Sequence, residues 1–167
     1  MVKNNTTKEA CYEQVVENIS RLIEGETVEV SVLANVSAAL YEAFDSYFWV
    51  GFYLVRNDQL VLGPFQGPVA CYRIKRGRGV CGTAWSEAKT LVVPDVEQFP
   101  GHIACSSLSR SEVVVPIFNG KHEVCAVLDI DSKELNAFDE VDARYLEQLV
   151  ASISATLYNA DSVDFLG

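Results

Sequence analysis

Soft metal ligands, basic side chains and long apolar runs are all scarce in this chain of 167 residues. Only two histidines are present, His102 and His122, and the five cysteines form no CxxC pair, so no metal site is expected. Thirteen Lys plus Arg stand against 23 Asp plus Glu, and the net charge of −10 repels phosphate backbones and anionic headgroups. Nucleic acid and membrane surfaces are therefore not expected as partners. No apolar run approaches the roughly 18 residues of a spanning helix, and the first twenty residues lack a signal peptide's apolar stretch. The expectation is a cytoplasmic, unprocessed protein. Phosphate-loop, GxSxG, HExxH and Gly-rich dinucleotide motifs are missing too, which leaves thiols and carboxylates to carry any chemistry.

What is present suffices for one core: 49% of the residues are hydrophobic and 22% charged, as in an ordinary single domain spanning 1–167. Residues 7 to 24 place Ala10, Val15, Val16, Ile19, Leu22 and Ile23 at helical spacing after a cap at Thr6 or Thr7, and Gly25 ends that helix. Residues 27 to 44 predict a second helix. YFWVGFYLV (47 to 55) and QLVLGPF (59 to 65) read as a hairpin, VACYRI (69 to 74) as a third strand, and VCGTAWSEAK (80 to 89) as a short helix. The stretch from 93 to 110 has no sustained periodicity, although Val96, Phe99 and Ile103 argue that it is ordered. EVVVPIF (112 to 118) and EVCAVLDID (123 to 131) flank an Asn119-Gly120 turn, and a helix from Asp139 to Asn159 closes the chain. The pattern predicts an α+β fold: one antiparallel sheet of five or more strands, helices on one face, and a ligand pocket on the other under the 93–110 loop.

Among the thiols, Cys105 sits in the irregular loop before Arg110, where a cysteine can be both reachable and activated, although most lone cysteines are buried packing groups. Elementary electrostatics slightly favours Cys81, in the first turn of a helix just after Arg76 and Arg78. Cys71 alternates with Tyr72 on a strand and faces either core or pocket. Cys125 reads as packing, and Cys11 is assigned no chemistry. An odd set of five thiols without paired spacing fits a reducing compartment.

Glu112 begins one strand, and Asp129 and Asp131, two residues apart, project from the same face of the next. Acids at strand ends are often simply solvated. Clustered at a pocket, they would bind an ammonium group, or keep one carboxyl protonated for donation. Trp49 and Tyr53 share one side of their strand, a side that is more often core than ligand wall. His102 is either an acid or base or an orienting group for its loop; Arg76, Arg78 and His122 read as surface.

WVGFYLV, LVLGPFQGPVACYRIKRGRGVCGTAW, VVPDVEQFPGHIACSSLSRSEVVVPIF and LDIDS together resemble the free methionine-(R)-sulfoxide reductase family, a catalytic branch of the GAF domain superfamily. The resemblance runs from about Gly25 to Leu149 and includes all three of the family's cysteines. It implies a six-stranded GAF-like antiparallel sheet and reduction of free L-methionine (R)-sulfoxide with electrons from thioredoxin. No cofactor would be bound, since NADPH enters only through thioredoxin reductase. Cys105 would be the nucleophile, overruling the helix-terminus preference for Cys81; Cys71 would resolve it, and Cys81 would be an auxiliary thiol. The family's ligand residues fall on Trp49, Glu112, Asp129 and Asp131. Phe48 and Ser106 depart from the family pattern, where Asn and an acidic residue are common. The resemblance also implies a homodimer. Competing readings are a non-catalytic GAF module that senses a small ligand, and a thiol redox sensor built on Cys71 and Cys105.

Overall fold

A computed structural model describes residues 7–102, 105 and 107–159. Thr6, Ile103 and Ser106, singled out above, lie outside the described residues. Two helices lead, α1 (Lys8–Ile23) and α2 (Glu29–Ala43). The Thr7 hydroxyl accepts from the Ala10 N–H as the N-cap of α1, and Gly25 beyond its end takes φ 76°, a conformation that favours glycine. Strands β1 (Trp49–Arg56) and β2 (Gln59–Gln66) form the first hairpin, with Asn57 and Asp58 both at positive φ in its two-residue turn. β3 (Arg73–Lys75) and α3 (Gly79–Glu87) follow, then β4 (Leu91–Val93), β5 (Ser111–Phe118), β6 (Val124–Ser132) and α4 (Glu140–Leu157).

All six strands belong to one antiparallel sheet in the order β3-β2-β1-β6-β5-β4. On one face, α1, α2 and α4 cover a core that includes Leu33, Leu40, Phe52, Ile117, Leu128, Ile130, Leu146 and Ile153, all buried. The short helix α3 lies on the opposite face, where Val80, Ala84 and Trp85 pack with Trp49, Tyr53, Val114 and Val127. The predicted layering therefore holds for three helices, while the fourth becomes the far wall of the pocket.

Three local expectations change. The strand read over 69 to 74 shrinks to Arg73–Lys75, because side chains of β1 claim the carbonyls before it: Trp49 Nε1 donates to Pro68 O at 3.0 Å and Tyr53 Oη to Cys71 O at 3.0 Å. Cys71 thus precedes the strand rather than alternating within it. Leu91–Val93 is a strand at the sheet edge, too short to show a period. The second hairpin closes over a longer loop than Asn119-Gly120, with His122 at positive φ and Asn119 Oδ1 accepting from the backbone of Lys121 and Glu123.

A polar network ties the first and last helices together. Tyr12 Oη, fully buried, bonds Tyr47 Oη and Asp142, and Lys8 Nζ reaches Asp142 Oδ2 at 2.7 Å. Asp142 also completes a capping box with Asp139, the N-cap of α4.

Candidate active site

Register builds the floor of the pocket. Trp49 pairs with Asp131 across β1 and β6, Glu112 pairs with Asp131 across β5 and β6, and Gly51 pairs with Asp129. Residues opposite one another in a ladder point to the same face, so Trp49, Glu112, Asp129 and Asp131 emerge side by side on the face that α3 covers. Glu112 and Asp129 are buried and Asp131 is half-buried. The sequence-derived acid cluster is real.

Burial raises the carboxyls of Glu112, Asp129 and Asp131 above their ordinary range. For Glu112, after burial, the charges of Asp129 and Asp131 and its hydrogen bonds with both carboxyls all act in the same direction and favour its protonated form. Asp129 accepts from Glu112 and Cys81, yet its Oδ1 is buried with no hydrogen-bond partner. An orphaned carboxylate oxygen in such a place is costly unless a donor or cation meets it.

Cys81 does not match the electrostatic expectation. It is buried, and burial followed by the charges of Asp129, Glu112 and Asp131 pushes its thiol well above the ordinary value. The acids opposite α3 outweigh the helix terminus and the two arginines, which are exposed to solvent. Cys81 Sγ and one oxygen each of Glu112 and Asp129 lie within 4.8 Å of one another, close enough to hold a metal ion.

Cys105 and Cys71 are joined in a disulfide, with Cα atoms 5.7 Å apart. Cys105 faces the same cavity as Trp49, Tyr53, Glu112, Asp129 and Asp131, and the space enclosed is about 50 Å³. The apolar wall is an aromatic stack: the Trp49 ring lies 6.0 Å from Tyr53 and 5.2 Å from Phe65. A Cβ on Gly51 would come within 2.7 Å of Trp49 Cη2, so glycine there makes room for the indole. Phe48 also lines the cavity and carries Lys133 Nζ 4.7 Å above its ring. His102 lines the cavity as well, with its imidazole held below the usual value by burial.

Tyr53, on a side read as more often core than ligand wall, lines the cavity, and Gly51 is a residue whose part the sequence did not disclose. A glycine inside an aromatic, β-branched strand was the available signal for the second. Cys125, half-buried, donates to Ile117 O at 3.4 Å, and burial pushes its thiol up to about 12; Cys11 is half-buried against Ala43. Cys125 keeps the packing role read from the sequence, and Cys11, assigned no chemistry there, lies away from the cavity.

Comparison with known proteins follows the same lines. The GAF domain family model matches residues 27–157. The chain is 57% identical over 145 residues to GAF domain-containing protein A of Dictyostelium discoideum, covering 86% of this chain and 90% of that protein. It is 45% identical to the free methionine-R-sulfoxide reductase of Escherichia coli, covering 92% and 93% of the two chains. Its structure superposes with a TM-score of 0.88 on the free methionine-R-sulfoxide reductase of Neisseria meningitidis in complex with its substrate, at 52% identity and 90% coverage of each chain.

Proposed function

Because the chain belongs to the GAF domain family, and its relatives include free methionine-R-sulfoxide reductases, we propose that it is an oxidoreductase that reduces free L-methionine (R)-sulfoxide to L-methionine. The observation that carries this reading is the Cys71–Cys105 disulfide set over the acidic floor of Glu112, Asp129 and Asp131. A small amino acid with one cationic and one polar, reducible group needs both features.

In the proposed cycle the reduced Cys105 thiolate attacks the sulfoxide sulfur. Glu112, whose protonated form burial and its acidic neighbours favour, hydrogen-bonds the sulfoxide oxygen and supplies a proton as that oxygen leaves sulfur. Methionine departs and Cys105 becomes a sulfenic acid. Cys71 condenses with it, releasing water and forming the disulfide. Thioredoxin then returns two electrons by thiol exchange, with NADPH as the ultimate donor through thioredoxin reductase.

The substrate ammonium meets the unpartnered Asp129 Oδ1, and Asp131 borders the same position. Trp49 and Tyr53 pack against the thioether carbons. Acids near a thiolate ordinarily oppose its ionisation, but a cluster kept largely protonated by burial repels less, and the bound ammonium cancels the remainder. A peptide-bound methionine sulfoxide has no ammonium to offer this floor, which favours the free amino acid. Cys81 is held by Asp129 and takes no part in attack unless that bond is released.

The test is thioredoxin-coupled NADPH oxidation with free L-methionine (R)-sulfoxide. Turnover on the R epimer but not the S epimer, abolished in Cys105→Ser, supports the assignment. Absence of turnover on both epimers by folded, reduced protein overturns it in favour of a ligand or redox sensor.

A further inference from the structure

The most exposed large apolar side chains among the described residues stand beside the disulfide. Val69 is 88% exposed and Tyr72 75%, two residues before and one after Cys71. They are not on a loosely held loop. The backbone around them is pinned: Trp49 Nε1 donates to Pro68 O just before Val69, Tyr53 Oη donates to Cys71 O, and Tyr72 O accepts from Leu62 N–H at 2.9 Å. An apolar pair fixed in water in this way costs free energy that packing inside the fold does not return.

Directly after Tyr72 comes a run of exposed cations: Arg73, Lys75, Arg76 and Arg78. Four of the thirteen basic residues of an acidic chain lie within these six positions. Arg73 and Lys75 sit on β3, the edge strand of the sheet, so apolar and cationic groups share one margin.

We propose that Tyr72 and Val69, with the flanking cations Arg73 and Lys75, form the docking surface for the protein dithiol that reduces the Cys71–Cys105 bond. The proposal rests on the redox cycle above for its biological purpose. Its occupant is a protein whose reactive thiol is framed by apolar surface with acidic side chains nearby. A second copy of this chain does not fit, because a two-fold contact here sets the same cations against one another. Docked beside Cys71, the partner's thiolate attacks the Cys71 sulfur. A partner–Cys71 disulfide forms, the Cys71–Cys105 bond breaks, and Cys105 leaves with the electron pair and then takes a proton. The partner's second thiolate attacks its own sulfur in the mixed disulfide, releasing reduced Cys71 and an oxidised partner.

The experiment follows reduction of the oxidised full-length protein itself, by quenched thiol alkylation, with thioredoxin or with dithiothreitol. Tyr72→Ser should lower the second-order rate with thioredoxin by about tenfold, as loss of an aromatic anchor does, while the dithiothreitol rate stays unchanged. Arg73→Glu should lower the thioredoxin rate further at low salt and flatten its ionic-strength dependence. Thioredoxin lacking its second cysteine should be trapped on Cys71. Equal thioredoxin rates for wild type and Tyr72→Ser, trapping on Cys105, or a mass change in light scattering caused by Tyr72→Ser would overturn the proposal. Since no sulfoxide enters this measurement, its failure is separate from a failure of the sulfoxide assay.

Discussion

Glu112 and Asp131 stand directly opposite each other on neighbouring strands, and burial together with their nearness raises both carboxyls above the ordinary range. Glu112→Gln keeps the shape and a hydrogen-bond donor but has no proton to release. Turnover should fall by about two to four orders of magnitude, the usual worth of a positioned general acid, with a smaller change in KM.

The same substitution should stabilise the fold at high pH. A buried carboxyl with a raised pKa binds its proton in the folded state at pH values where the unfolded chain has lost it. Stability therefore falls as pH rises from the unfolded value toward the folded one. Glu112→Gln removes this loss. Its melting temperature relative to wild type should climb between pH 5 and pH 8, by about a few degrees, in calorimetric scans of the ligand-free protein.

Cys71→Ser should arrest the cycle at its midpoint. One equivalent of sulfoxide should yield one equivalent of methionine and a Cys105 sulfenic acid that a nucleophilic diketone labels, while thioredoxin-driven turnover falls about a hundredfold. Cys81→Ser, which keeps a donor for Asp129, should retain turnover within about fivefold. Rescue of the Cys71 variant by Cys81, read from disulfide mapping, would contradict the buried, carboxylate-bound state of that thiol.

Gly51→Ala should disturb the substrate wall without touching an ionisable group. The added methyl meets Phe65 Cβ at 2.3 Å and Trp49 Cη2 at 2.7 Å, so the stack has to shift. Stability should fall by about 1–3 kcal/mol and KM for the sulfoxide should rise. Denaturant titration and steady-state kinetics measure the two effects separately.

Tyr12→Phe gives the opposite dissection. It leaves Tyr47 and Asp142 without their buried partner on the helical face, remote from the pocket. A loss of about 1–3 kcal/mol in urea unfolding with kcat unchanged is the expected result.

The acid cluster was legible because strands alternate with period two: Asp129 and Asp131 share a face wherever they lie on a regular strand, and Glu112 joins them through hairpin register. Trp49 and Tyr53 were placed on one side for the same reason. Cys71 was misplaced because its backbone answers to Trp49 and Tyr53, about twenty residues away, which local periodicity does not register. The electrostatic preference for Cys81 failed similarly. The terminus of α3 and its arginines are local, whereas the three acids opposite arrive only when the sheet is assembled. The edge strand Leu91–Val93 is too brief to display any period. The resemblance to the reductase family supplied what periodicity lacked, a reason to propose Cys105 rather than Cys81 as the nucleophile.

With Cys71 and Cys105 joined, the sulfur assigned to attack the sulfoxide is already bonded to another sulfur. On the proposed cycle, the molecule awaiting electrons has no free Cys105 thiol to act on a sulfoxide, so each turnover waits on reduction of that bond. A cell under a heavy load of oxidised methionine would then clear it, by this route, only as fast as reductant arrives.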